Sequence, residues 1–86
     1  MSKIDIYTTP ICPYCVRAKR LLEQKGAAFE EINLAFHPER RDELEKRAPG
    51  ARTVPQIFIG DFYVGGCDEL YALERQGKLD PLLKDA

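Results

Sequence analysis

Cys12 and Cys15 stand three residues apart with Pro13 and Tyr14 between them, and two thiols at that spacing either cycle through a disulfide or share a metal. Pro13 suits the first position of a helix, because its missing N–H would have had no intrahelical partner there. That assigns Cys12 to the N-cap, where unpaired backbone N–H groups and the helix dipole favour negative charge. A thiolate at Cys12 is therefore stabilised and acts as the nucleophile. Cys15, one turn inward, is near enough to attack a mixed disulfide on Cys12 and is expected to be less exposed and less acidic. Cys12 is thus the attacking thiol and Cys15 the resolving one, with Arg17, Lys19 and Arg20 adding positive charge along the same helix. For zinc, Cys67 and His37 raise the candidate ligands to four, but a second close pair is missing. No metal site is expected, and His37, just before Pro38, is expected to be solvated.

The elements needed to position the pair can be traced along the chain. Lys3–Thr8 alternates and carries Ile and Tyr, as a strand does, and stops at Thr9-Pro10. Pro13–Lys25 reads as an amphipathic helix with Val16, Leu21 and Leu22 as its apolar residues, closed by Gly26. Phe29–Leu34 is a second strand, and Pro38–Arg47 a mostly exposed helix in which Leu44 is the one large apolar residue. Gln56–Ile59 and Phe62–Val64 flank Gly60-Asp61, which predicts a tight hairpin. A helix then runs from Cys67 or Asp68 to about Gln76, and Asp80 caps a short final turn, Pro81–Lys84. Tyr63, Tyr71 and the leucines of the last helix are expected in the core.

The order β-α-β-α-β-β-α predicts an α/β fold: a mixed four-stranded sheet flanked by helices. Its first two strands are parallel by the crossover rule and the hairpin adds antiparallel ones. At 86 residues the chain has room for one domain, spanning 1–86. Hydrophobic residues make up 44% of it, too many for a disordered chain, and a net charge of −1 gives no reason to expect nucleic acid or an acidic membrane as partner. No apolar stretch approaches the roughly 20 residues that span a bilayer. The start, Met1-Ser2-Lys3-Ile4-Asp5, lacks the apolar core of a secretory leader, so the cytosol is the expected compartment. Three cysteines, an odd number, argue against a secreted disulfide framework and for redox or metal chemistry in a reducing compartment.

The run Tyr7-Thr8-Thr9-Pro10-Ile11-Cys12-Pro13-Tyr14-Cys15 resembles the active-site segment of dithiol glutaredoxins, in particular the short bacterial type. Thr53-Val54-Pro55-Gln56-Ile57-Phe58-Ile59 and Gly65-Gly66-Cys67-Asp68-Glu69-Leu70 match the same family at suitable distances, so the resemblance covers nearly the whole chain. It implies a thioredoxin-like fold and a cis bond before Pro55 that turns the Val54 backbone toward Cys12, with Thr53 beside it, to pair with the cysteinyl part of glutathione. It also implies that Tyr14 flanks the glutathione and that Gly66, Cys67 and Asp68 hold its γ-glutamyl end. That last role has physical sense of its own: glycine permits close approach, a helix start offers free N–H groups to a carboxylate, and the Asp68 side chain can take the ammonium. For Cys67 the backbone is the expected functional group. One departure stands out: many family members carry Lys three residues before the first Cys, where this chain has Thr9. The helix start must then do more, or Arg47 or Arg52 must substitute, and a weaker hold on the glycyl end of glutathione is expected.

By this resemblance the chain is a glutathione-dependent thiol–disulfide oxidoreductase, a monomer with no tightly bound cofactor and with glutathione as reducing co-substrate. Its partners are disulfide-containing or glutathionylated proteins, ribonucleotide reductase among the clients the resemblance suggests. Two alternatives stay open: a redoxin recycled by thioredoxin reductase, and an iron–sulfur cluster carrier using Cys12 and glutathione across a dimer. Against the second stands Cys15, since glutaredoxins specialised as carriers usually keep one active-site cysteine.

Overall fold

The structure, a computed structural model, describes residues 3–84; Met1 and Ser2, part of the expected leader-free start, lie outside the described residues, as do Asp85 and Ala86. Strand β1 (Ile4–Thr8) lies between two others: β2 (Glu30–Asn33), which runs parallel to it, and β3 (Gln56–Ile59), which runs antiparallel. Strand β4 (Phe62–Gly65) pairs antiparallel with β3, giving the order β2-β1-β3-β4. Tyr7 sits at the middle of this arrangement, opposite Ile32 on one side and Gln56 on the other.

Side chains alternate across the sheet and so build two unlike faces. Ile4 and Ile6 of β1 join Ile57 and Ile59 of β3 in one cluster. Helices α1 (Pro13–Gln24), α3 (Cys67–Arg75) and α4 (Leu79–Lys84) cover it with Ala18, Leu21, Leu22, Leu70 and Leu79. Tyr7 and Phe58 belong to the other face, with Ile32 and Leu34, under Leu44 of α2 (Arg41–Arg47) and Ala48 just after it. That second face is thin and partly polar. Arg47 Nη1 lies 2.9 Å from Asp5 Oδ2 and 3.0 Å from Tyr7 Oη, and its guanidinium sits 3.9 Å from the Phe58 ring centroid. Glu43 accepts the Tyr7 hydroxyl and is clamped by Arg40, whose charge holds its carboxyl below the usual carboxylate range. Burial, with help from Glu43, pushes the Tyr7 hydroxyl up.

The expected elements are present, with four corrections. Pro38–Arg40 forms a 3₁₀ turn before α2, so the charged segment is two short pieces; Leu44 and Ala48 are its buried apolar anchors, beside the polar ties of Glu43 and Arg47. The last helix starts at Leu79, which is fully buried, and Asp80 therefore lies inside its first turn and pairs with Lys25 at 3.0 Å instead of capping it. Val16 is exposed, because the phase of α1 is set by Cys15, Ala18, Leu21 and Leu22. Tyr63 is also largely exposed, with its ring stacked on Phe58, whereas Tyr71 packs against the core as expected and donates to the Arg17 carbonyl at 3.1 Å.

Candidate active site

Between β1 and α1 the chain turns at Ile11, which is fully exposed and has φ of 56°, a backbone conformation that branched residues rarely adopt. Cys12 follows as the N-cap of α1, with extended backbone angles. Its Sγ accepts the Cys15 N–H at 3.1 Å and lies 3.9 Å from the Val54 carbonyl, toward which a thiol proton can point. The sulfur thus occupies the place a serine or aspartate oxygen takes at other helix starts. Cys12 is partly exposed, whereas Cys15 is only 2% exposed. Burial pushes the Cys15 thiol up to about 12, and its contact with Cys12 adds to the rise against the opposing pull of the Thr9 amide and the Lys19 charge. Lys19 itself is held by Glu31, at 3.0 and 3.1 Å, and Glu31 also accepts the Thr8 hydroxyl at 2.7 Å. Burial alone would raise the Glu31 carboxyl; the Thr8 hydroxyl and Lys19 together outweigh it and hold the group low.

A groove of about 340 Å³ opens beside Cys12. Tyr14, Thr53, Val54 and Pro55 form one part of its lining, and Gly66, Cys67, Asp68 and Glu69 the rest. The Val54–Pro55 peptide is cis, as the resemblance implied, and the Val54 carbonyl is turned toward Cys12. All seven residues assigned to glutathione from the sequence therefore meet in one groove. Tyr14 is more than half exposed, with the Arg17 guanidinium 5.9 Å from its ring centroid.

The far end of the groove is the start of α3. Gly65 has φ of 106°, which favours glycine, and a Cβ there would also crowd Glu69 Cγ at 3.1 Å. Glu69 Oε1 accepts the Gly66 N–H at 2.7 Å, the reach-back half of a capping box. Cys67 turns its side chain into the core beside Leu70; burial, then the charge of Asp68, push its thiol up. Sequence reasoning missed Glu69 as a lining residue, although the spacing Gly66-x-x-Glu69 is that of a capping box with glycine in the serine place. Behind the groove, Gln56 is buried with its amide bonded to Thr53, an environment that nothing in the local sequence marks.

Arg47, named from the sequence as a substitute for the absent lysine, is committed to Asp5, Tyr7 and Phe58 on the α2 face and does not line the groove. Arg52 is exposed and precedes Thr53. His37 is exposed, as expected, 3.5 Å from Glu39. Among the described residues, no three His, Cys, Asp or Glu side chains gather as a metal site requires.

The Glutaredoxin family model matches residues 4–64. A glutaredoxin of Pseudomonas aeruginosa is 59% identical over 83 residues, 96% of this chain and 98% of that protein. The solution structure of a glutaredoxin from Brucella melitensis is 60% identical, with a TM-score of 0.82 over 98% of this chain and 90% of that one. The crystal structure of a buckwheat glutaredoxin–glutathione complex is 34% identical, with a TM-score of 0.86 over 98% of this chain and 78% of that one. The expected thioredoxin-like fold is therefore correct. The chain belongs to the glutaredoxin family and is a glutathione-dependent thiol–disulfide oxidoreductase.

Proposed function

We propose that the single domain spanning 1–86 reduces glutathionylated and disulfide-bonded proteins, ribonucleotide reductase among its possible protein-disulfide clients, with Cys12 as nucleophile and Cys15 as resolving thiol. The observation that carries this reading is the asymmetry of the pair: Cys12 is partly exposed at a helix start beside a groove, and Cys15 is buried behind it. Cys12 thiolate attacks the glutathionyl sulfur of a mixed disulfide; the old S–S bond breaks, the client leaves as thiolate and takes a proton, and Cys12 carries the glutathionyl group. A second glutathione thiolate then attacks that sulfur, releasing oxidised glutathione and restoring Cys12. On a protein disulfide, Cys12 is left bonded to the client, and Cys15 must give up its proton to displace it and close the Cys12–Cys15 bond. Two glutathione molecules reopen that bond.

The groove suits the glutathionyl group. Val54 offers backbone at the cysteinyl part, Thr53 and Tyr14 flank it, and at the γ-glutamyl end Gly66 allows close approach while Cys67 and Asp68 bring amides and a carboxylate. The glycyl end is held without a lysine at position 9. Likeness to the buckwheat protein solved with glutathione supports this assignment. The chemistry needs a reduced glutathione pool, such as that of the cytosol, and nothing in it requires more than a monomer. No helix among the described residues is long and apolar enough to cross a membrane.

The test compares Cys15→Ser with the parent chain on two substrates. Turnover of a glutathionylated peptide is retained within about threefold, and reduction of a protein disulfide falls by at least about tenfold, because only the second path uses Cys15. Equal loss on both substrates would remove the division of roles.

A further inference from the structure

Gln56, the first residue of β3, is 4% exposed, and both ends of its side-chain amide are engaged. Nε2 donates to the Thr53 carbonyl at 2.9 Å and lies 3.3 Å from Thr53 Oγ1, while Oε1 accepts the Tyr63 hydroxyl. The direction of the amide is fixed by chemistry. A carbonyl can only accept, so the NH₂ end must face Thr53 and the oxygen must face Tyr63. Tyr63 in turn is held flat against Phe58, with 4.9 Å between ring centroids and 26° between planes. Phe58 carries the Arg47 guanidinium 3.9 Å from its own centroid. The segment being held, residues 51–55, belongs to no helix or strand. It nevertheless supplies the Thr53–Pro55 part of the groove and a carbonyl, that of Val54, 3.9 Å from Cys12 Sγ. An amide rooted in the sheet thus clips an irregular segment at the residue just before Val54.

We propose that Gln56 is a positioning residue for the groove: its amide holds Thr53 and Val54 at the distance from Cys12 that binding of the glutathionyl group needs, and the Tyr63 hydroxyl fixes that amide's direction. This rests on the assignment of the groove to glutathione. Neither side chain touches the reacting sulfurs. Their effect is on the place of the binding edge, and so on capture of the substrate more than on the thiolate itself.

Steady-state kinetics on a glutathionylated peptide, paired with alkylation of Cys12 by iodoacetamide, separate the two. Gln56→Met keeps the length of the side chain and removes both hydrogen bonds. It is expected to raise KM about tenfold, with kcat and the alkylation rate each within about twofold of the parent. Tyr63→Phe, which removes one hydroxyl, raises KM about threefold. The double variant is no worse than Gln56→Met alone, because both changes act through the same amide. A KM within twofold of the parent in Gln56→Met overturns the proposal, as does a double variant in which the two effects multiply. If Gln56→Met does not fold, Tyr63→Phe decides: an unchanged KM overturns the proposal. The parent chain is also assayed on the same peptide carrying cysteine in place of glutathione. Equal KM values for the two mixed disulfides overturn the glutathione groove and this proposal with it. Preference for the glutathionyl form with an unchanged Gln56→Met overturns the positioning role alone.

Discussion

Helices α1 and α3 both follow a strand of the sheet after a short connection, and each has a cysteine at its start, yet the two sulfurs meet different surroundings. Cys12 is the N-cap of α1, where the backbone is still extended and the side chain folds back over the first-turn amides; its sulfur takes the Cys15 N–H and stays partly exposed. Cys67 is one position further in, the first residue of α3, with Gly66 as N-cap, and its side chain joins the core beside Leu70. At α3 the anion at the helix start is supplied by Glu69 instead, at 2.7 Å from the Gly66 N–H. A displacement of one residue along a helix start is therefore enough to separate a nucleophile from a packing residue.

The same substitution made at both places should give opposite readouts. Cys12→Ser removes the nucleophile, and turnover of a glutathionylated peptide falls at least about a thousandfold, roughly 4 kcal/mol on the barrier. The fold should hardly notice: serine is a preferred N-cap, and urea unfolding should stay within about 0.5 kcal/mol of the parent. Residual turnover above that level would mean that another thiol can replace Cys12.

Cys67→Ser reverses the pattern. A hydroxyl placed in the apolar cluster of Ile6, Leu22 and Leu70 without a partner costs about 1–3 kcal/mol of stability. Turnover should fall by less than about threefold, since the groove draws on the backbone there. The thiol comparison also has a pH side. With both active-site cysteines replaced by serine, alkylation of Cys67 should be slow at neutral pH and rise only on the alkaline side, because burial holds its proton. Fast alkylation near pH 7 would show that the α3 start exposes its sulfur, and the contrast between the two helices would collapse.

How much of this contrast the sequence carried depends on how local each cause is. Pro13 places the start of α1 and hence the cap position of Cys12, Gly60-Asp61 makes the hairpin, and Gly65-Gly66 ends β4 and opens α3. Each of these follows from the backbone preferences of one or two residues. The gathering of Tyr14, Thr53 and Asp68 into one groove came from resemblance to a family, because no periodicity relates residues that far apart. Side-chain environments set by partners distant in the chain were out of reach. Val16 and Ala18 are both apolar on the same helix, and only the sheet beneath decides which one is buried. Tyr63 lies over Phe58 at the margin of the core, and Arg47 is drawn away from the groove by Asp5, 42 residues earlier. Gln56 differs from these: its partners Thr53 and Tyr63 are near in sequence, yet only the hairpin and the turn before Pro55 bring them onto its amide.

The smallest expected effect concerns what stands at the α3 start in place of a sulfur. Glu69 offers both a hydrogen-bond acceptor to Gly66 N–H and a negative charge at the positive end of the helix. Glu69→Ala removes both and should cost about 1 kcal/mol in urea unfolding, within the range for lost caps. Glu69→Gln keeps an acceptor of the same reach and drops the charge, so its loss should be about 0.3–1 kcal/mol and should shrink as salt is added. Equal losses in the two variants would make the dipole the whole effect. No loss in Glu69→Gln would leave the hydrogen bond alone as the cap, and α3 would then be held at its start, like α1, by a single acceptor.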